Sequence, residues 1–308
     1  MARVSLILVT WNSARFLPRC LDGIAQQTFG DIEVIVVDNG SSDDSVAIVR
    51  ERFPNATIIR NAANEGFSRA VNQGIARATG EFVQLVNPDA FLEPEYVAKL
   101  VEALEEDEAY GSATGKLLRA EGVGVDSKGI RMTRTGRHLD IEEGEEREVF
   151  GVSGAAAMYR MAFIRDVTLS DGQFLDEDFF SYREDADVAW RGRLFGWRAL
   201  FVPEAIGHHV RNVTPEKRRA LPASINMHSV KNRFLLRLKN EGLYLALRNA
   251  PFELARDAVA IAAVLTIERS SLPAFSWLWR NRKRILAKRR EIQRRRRVSD
   301  RALARWFR

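Results

Sequence analysis

Two sets of residues carry the side chains best suited to chemistry. The first is a series of short polar segments, each following an apolar run: Thr10-Trp11-Asn12-Ser13, Asp38-Asn39-Gly40-Ser41-Ser42-Asp43, Asn64-Glu65-Gly66-Phe67 and Asn87-Pro88-Asp89-Ala90. An ionised carboxylate only accepts hydrogen bonds, so Asp38 suits a pyrimidine N3–H or a ribose hydroxyl. Asp89, on a turn stiffened by Pro88, suits a hard divalent cation, which prefers carboxylate oxygen. No G-x-G-x-x-G follows the first apolar run, which disfavours a dinucleotide site, and there is no G-x-x-x-x-G-K-[ST] phosphate loop. A bound diphosphate would therefore need such a cation to offset its charge. One aspartate at such a place is ordinarily a turn or helix-cap residue. Four polar segments in register are harder to explain that way.

The second set is Phe179-Phe180-Ser181-Tyr182-Arg183-Glu184-Asp185-Ala186-Asp187-Val188-Ala189-Trp190-Arg191, with carboxylates at 184, 185 and 187 opening a predicted helix. Acids favour helix N-termini through the macrodipole, and that alone could account for Asp187. Asp185 is different, because the adjacent aromatics can wall off water. Burial and like-charge crowding both raise a carboxylate pKa, as a working base requires. Trp190 and Arg191 follow one turn later, placed either to orient Asp185 or the acceptor, or, for Arg191, to form a structural ion pair.

These residues need a scaffold. Apolar, β-branched runs at 3–10, 31–38, 56–60 and 81–86 read as strands. Helices are expected from Ser13 to about 27, from Asp43 or Asp44 to 53, over 68–79, and from Pro94 to about 107. Strands separated by such helices form βαβ units and a mostly parallel sheet, whose ligands bind at the carboxyl ends of the strands. Residues 111–150 look irregular, with Glu142-Glu143-Gly144-Glu145-Glu146 as a solvated loop and the whole stretch a contributor to donor specificity. Order resumes at 150–160, around Ser153-Gly154-Ala155-Ala156. A short strand at 199–202 is expected to stop at Pro203, and helix from Ser224 onward. The division is thus an α/β domain over 1–223 and a helical, basic region over 224–308.

In their order, these motifs resemble the family 2 glycosyltransferases, and most of all the bacterial rhamnosyltransferase-like branch. The resemblance runs over about residues 3–240 and implies a GT-A fold, a cytosolic nucleotide-sugar donor and inversion at the anomeric carbon. It assigns nucleotide binding to Thr10, Asn12, Asp38, Asn64, Gly66 and Asn87. It assigns the metal, Mn2+ or Mg2+, to Asp89 and to His209 in Gly207-His208-His209-Val210-Arg211, and the base to Asp185. Gly154, Glu184, Trp190 and Arg191 are left to orient the acceptor. Asn87 departs from the pattern, since the family's D-x-D motif carries an aspartate at that first position. The expected donor is linked to dTDP or UDP, with rhamnose preferred on resemblance. The expected acceptor is a glycan or lipid-linked hydroxyl in cell-surface polysaccharide synthesis. Two other readings stand beside it, a sugar-phosphate nucleotidyltransferase and a non-catalytic nucleic-acid-binding or scaffold protein on the same fold.

Charge and compartment complete the expectations. Residues 280–308 carry 14 Lys and Arg against two acids, a net +12, which leaves −6 for the rest of a chain whose total is +6. Phe275, Trp277 and Trp279 precede those cations, after an uncharged stretch at 258–267 far shorter than the about 20 residues a spanning helix needs. Aromatics beside cations fit a helix lying on an anionic membrane surface; the plainer alternative is a core helix with a solvated tail. No nucleic-acid module accompanies the cations, and no such partner is expected. The lone Cys20 excludes an internal disulfide framework, and the apolar run at 1–9 is too short for a signal peptide, so a cytosolic, membrane-peripheral protein is expected.

Overall fold

The computed structural model describes residues 2–210 and 222–308. Met1 and Arg211, the ends of two segments read above, lie outside the described residues. The first half alternates β1 (Val4–Thr10), α1 (Leu17–Ala25), β2 (Ile32–Asp38), α2 (Ser45–Arg52), β3 (Thr57–Arg60), α3 (Phe67–Ile75), β4 (Phe82–Val86), β5 (Ala90–Leu92) and α4 (Tyr96–Glu106). Then come β6 (Tyr110–Arg119), β7 (Val125–Ser127), β8 (Ile130–Met132), β9 (His138–Asp140), β10 (Glu148–Val149), β11 (Ala157–Arg160), α5 (Met161–Val167), α6 (Glu184–Leu194) and β12 (Arg198–His209). The chain ends in α7 (Ala223–Asn240), α8 (Leu243–Thr266), α9 (Pro273–Arg280), α10 (Arg282–Arg295) and α11 (Asp300–Leu303).

The main sheet runs β10-β12-β6-β11-β4-β1-β2-β3, with β5 beside β12 and β7 beside β6. It is mostly parallel, antiparallel pairing being confined to the short β5, β7, β10 and β11. All seven residues of β1 are buried, as expected of a parallel strand covered on both faces. Its pleat sends Ile7 and Val9 into one core and Val4, Leu6 and Leu8 into the other. The register pairs Thr10 with Asp38, Asp38 with Arg60 and Leu8 with Val86, so the polar segments emerge side by side at one edge.

Three expectations change. Residues 111–150, read as irregular, contain β6, a ten-residue strand in mid-sheet. Its strand signal is broken by Gly111 and Gly115, which are there for packing. A Cβ on Gly115 would stand 2.2 Å from the Ala205 carbonyl oxygen, and one on Gly111 would stand 2.4 Å from the Phe163 ring. The expected stop at Pro203 is absent, because β12 passes through it on a register shift between Val202 and Ile206 where no ladder donor is needed. Ser13 does not cap α1; its amide donates to Ser45 Oγ at 2.8 Å, and the helix starts at Leu17 with Pro18 in its first turn.

The basic C-terminal region is likewise no free tail. Leu235, Leu245, Ile285, Ile292, Leu303 and Phe307 share a core with the sheet. Lys288 sits 2.6 Å from Asp176, Arg284 2.5 Å from Asp178 and Arg297 2.8 Å from Asp166. Part of the +12 is therefore answered by acids of the body. The acid run at 142–146 is exposed, as expected.

Candidate active site

The loops after β1 and β2 are knotted together. The Asn12 amide donates to Ser41 Oγ (2.9 Å), the Ser42 amide to Asn12 Oδ1 (2.8 Å) and the Ala14 amide to Asp43 Oδ2 (3.0 Å). Asn12 takes a left-handed φ of 49° to make that turn, a conformation asparagine tolerates. Thr10 Oγ1 is buried without a partner. Asp38 is fully buried and accepts only long hydrogen bonds from the Ser41 amide, at 3.3 and 3.4 Å, which leaves its carboxylate with acceptor capacity at the sheet edge.

A residue passed over in the sequence, Asn39, is the hub of this edge. Its Nδ2 donates to Asn64 Oδ1 (3.1 Å) and the Gly66 carbonyl (3.2 Å), while its Oδ1 accepts from Asn61 (3.0 Å) and the Glu65 amide (3.1 Å). Asn64 also accepts from the Gly66 amide at 3.0 Å, so its side chain shapes the loop. Gly66, at φ 91°, lets the loop before α6 approach: a Cβ there would meet the Phe180 ring at 2.6 Å.

Asp89 and His209 meet because β5 pairs antiparallel with β12, setting His209 opposite Ala90. His209 Nε2 lies 3.5 Å from Asp89 Oδ1, and its Nδ1 lies 2.8 Å from Asp126 Oδ2. His208 turns the other way, to Glu93 at 3.1 Å, which separates the doubled histidines. Burial opposes the charged imidazole of His209, but hydrogen bonds to Asp126 and Asp89 outweigh it and lift its pKa to about 9. Among the described residues no three His, Cys, Asp or Glu side chains form a complete metal cage. A carboxylate and an imidazole oriented by a second carboxylate nevertheless fit a divalent cation that takes its other ligands from a diphosphate. Asn87 is held by its backbone, its amide donating to the Ala155 carbonyl at 2.8 Å.

The acid cluster sits on strained backbone. Phe180, Tyr182 and Arg183 all have left-handed φ, between 67° and 73°. Asn232 of α7, also passed over in the sequence, clamps this turn by donating to the Phe179, Ser181 and Tyr182 carbonyls at 2.8–2.9 Å. Glu184 is buried, and burial together with Asp185 pushes its pKa to about 8. Asp185 stays partly exposed. Burial and the nearby Asp140 charge raise it to about 6, against the pull of amides from Ala186 (2.7 Å) and Gly154 (3.4 Å). Gly154 thus touches the carboxylate through its amide.

Trp190 and Arg191 do not face the cleft, which corrects the orienting role expected of them and leaves Arg191 the structural ion pair that was its alternative. Trp190 is fully buried against Phe307 and Phe150, at ring distances of 4.9 and 6.4 Å. Arg191 is fully buried, bound to Asp187 (3.0 Å) and to the Phe174 carbonyl (2.6 Å). Positions 190 and 191 lie round the helix from 185 and point into the core. Asp187 is structural too, sharing Arg191, Lys239 (3.0 Å) and Asn240 (2.7 Å).

A cavity of about 1100 Å³ is lined by Lys128, Arg131, His138, Asp140, Glu148 and Trp306, among others, and its Asp140 is the residue whose charge reaches Asp185. His138 lies 3.3 Å from Arg183, which joins this cavity to the head of α6.

A family model described as glycosyl transferase family 2 matches residues 5–168. An N-acetylglucosaminyl-diphospho-decaprenol L-rhamnosyltransferase of Mycobacterium tuberculosis is 27% identical over 241 residues, covering 68% of this chain and 76% of its own. An uncharacterized glycosyltransferase of Nostoc sp. is 33% identical over 112 residues, and the chain spans only 35% of its length. Among solved structures, a mannosyltransferase from Pyrobaculum calidifontis in complex with GDP-Man and Mn2+ superposes with a TM-score of 0.58 at 19% identity, over 94% of this chain and 85% of that one. At that identity the likeness shows the shared GT-A fold alone.

Proposed function

The chain belongs to glycosyl transferase family 2, and from that premise we propose a metal-dependent, inverting sugar transfer from a nucleotide diphosphate donor. The observation that carries this reading is Asp185, a partly exposed carboxylate at the head of α6, touched by the Gly154 amide and raised to about 6 by burial and by Asp140, a residue that lines the large cavity. Asp38 would accept from the donor's base or ribose, on a floor made by Thr10, Asn12, Asn64, Gly66 and Asn87. Asp89 and His209 would hold the cation, with Asp126 fixing the imidazole. When bound, that cation offsets the charge gathering on the leaving diphosphate.

The acceptor hydroxyl attacks the anomeric carbon from the face opposite the diphosphate and passes its proton to Asp185. One displacement breaks the C1–O bond to the diphosphate as the new one forms. Configuration inverts, and no protein nucleophile is required. Glu184, held mostly neutral by burial at pH 7, would leave Asp185 as the ionised carboxylate of the pair.

The donor is proposed to be dTDP- or UDP-linked, with rhamnose first. The acceptor is proposed to be a lipid-linked glycan of the cell surface, following the diphospho-decaprenol in the relative's name. The enzyme would work on the inner face of the membrane. The match to a transferase family leaves the nucleotidyltransferase reading without support.

The test is a panel of nucleotide sugars with an N-acetylglucosaminyl-diphospho-lipid acceptor, with the anomeric configuration of the product read by NMR. Asp89→Ala should abolish manganese-dependent binding of the nucleotide diphosphate while the fold persists. A product of retained configuration, or nucleotide affinity indifferent to chelator in the native enzyme, would overturn the reading.

A further inference from the structure

Helix α8 is built inside out. Its charged side chains turn toward the protein: Glu253 is buried 2.9 Å from Arg237, Asp257 pairs with the same arginine, and Arg248 donates to the Ala304 carbonyl at 2.8 Å. Its outer face is apolar and bare. Leu243, Leu247, Leu254, Ile261 and Leu265 recur at helical spacing along one side, and Leu247 and Leu254 are each 68% exposed. Val259, on another side of the helix, and Ile267 and Leu272 beyond its end are exposed as well. Over 24 residues the helix is about 36 Å long. A monomer that left such a stripe to water would expose a large continuous apolar patch, which marks an interaction surface.

The surrounding charges identify its partner. Between Leu243 and Arg290, every exposed charged residue is a cation: Arg269, Arg280, Arg282, Lys283, Arg290 and Arg284, the last of which also pairs with Asp178. Glu253, Asp257 and Glu268, the acids of α8 and the turn after it, are all at least partly covered. At one end Trp279, 68% exposed, lies under the Arg282 guanidinium at 4.2 Å; at the other, Arg301 stands over Tyr244 at 5.6 Å. Aromatic rings paired with cations at the ends of an apolar face match the headgroup level of an anionic lipid layer. A second copy of the chain would bring cations against cations at either end. No single helix among the described residues is long and apolar enough to cross a membrane; α8 and the segment Arg269–Arg280 reach that length and composition only as a pair bent by 109°.

We propose that the outer face of α8, with Trp279 at its edge, inserts into one leaflet of an anionic membrane and docks the enzyme there without crossing it. The cations of α10 that pair with Asp176 and Asp178 hold the fold together; the anchoring comes from the apolar face and its exposed rim. Only the reason for docking, a lipid-linked acceptor, rests on the proposed function.

Flotation with vesicles of phosphatidylcholine containing about 30% phosphatidylglycerol tests this directly. The full chain should float, and most of the binding should persist at 1 M NaCl. The triple variant Leu247→Glu, Leu254→Glu, Leu265→Glu should lose at least tenfold in partitioning, while thermal melting and nucleotide-diphosphate binding stay unchanged. Arg280→Glu with Lys283→Glu should weaken binding several-fold on anionic vesicles only. As a second measurement on a conservative variant, brominated lipid should quench tryptophan fluorescence in the native chain, and Trp279→Phe should remove most of that quenching. Native-like flotation of the triple variant would overturn the proposal. So would a lipid-free dimer that becomes monomeric on those substitutions, since the face would then belong to a second copy. Nucleotide binding is read separately, so failure here leaves the transfer reading untouched, and the reverse.

Discussion

Replacing Asp185 by Asn removes basicity while preserving shape, and its consequences can be worked out from the site. Burial and Asp140 hold the native carboxyl at about 6. At pH 7.5 nearly all of it is ionised; at pH 5 only about a tenth is, so kcat/KM should fall roughly tenfold between the two. A base with an ordinary carboxylate pKa near 4 would lose almost nothing over that range. The Asn variant should lose about 10²–10⁴-fold in transfer at pH 7.5, with nucleotide-diphosphate affinity intact. Stability should move the other way. The folded chain retains a proton that the unfolded chain releases between pH 4 and 6, so this group lowers stability as pH rises through that window, and the loss is complete above it. Asp185→Asn should therefore raise stability at pH 8 by on the order of 1–3 kcal/mol, and barely change it at pH 4. The assays are a pH–rate profile on the donor and acceptor panel and urea melts at the two pH values. A native rate that stays flat down to pH 5, or an Asn variant less stable at pH 8 than at pH 4 relative to native, would refute the assignment.

Other perturbations test the scaffold. Lys239→Ala leaves Asp176 and Asp187 facing each other's neighbourhood without their shared cation, and should cost about 3–5 kcal/mol in urea unfolding. Asp187→Asn should lower stability rather than base strength, so its pH–rate limb should stay where the native one is. Asn232→Ala removes three hydrogen bonds from the left-handed turn ahead of α6. It should lower kcat more than it weakens nucleotide binding, and equal losses in both would contradict a role specific to the Asp185 loop.

What could be read from the sequence is what depends on neighbours along the chain. Seven-residue apolar runs closed by Asp, Asn and Gly announce buried strands and their polar ends, because strand burial and turn chemistry are both local. Asp38 and Asp89 stood out on that basis and Asp185 by its place among the acids that open α6, but the charge that lifts the Asp185 pKa comes from Asp140, a remote residue that gave no signal. The remainder turned on contacts between distant segments. His209 and not His208 faces Asp89 because β12 pairs with β5, a register that neither strand specifies alone. Asp126, 83 residues from His209, and Asn232, about 50 from the turn it clamps, gave no signal, since a polar side chain becomes a clamp only when a remote backbone arrives beside it. The same cause misled on Trp190 and left Arg191 open between two roles, since their place on α6 was plain but their covered side is set by Phe307 and Phe174. It decided α8 as well. Helical spacing shows that this helix has an apolar side and a charged side, but ordinarily the apolar side would be buried. Here Arg237 and the Ala304 carbonyl draw the charges inward, and the apolar stripe is left facing out.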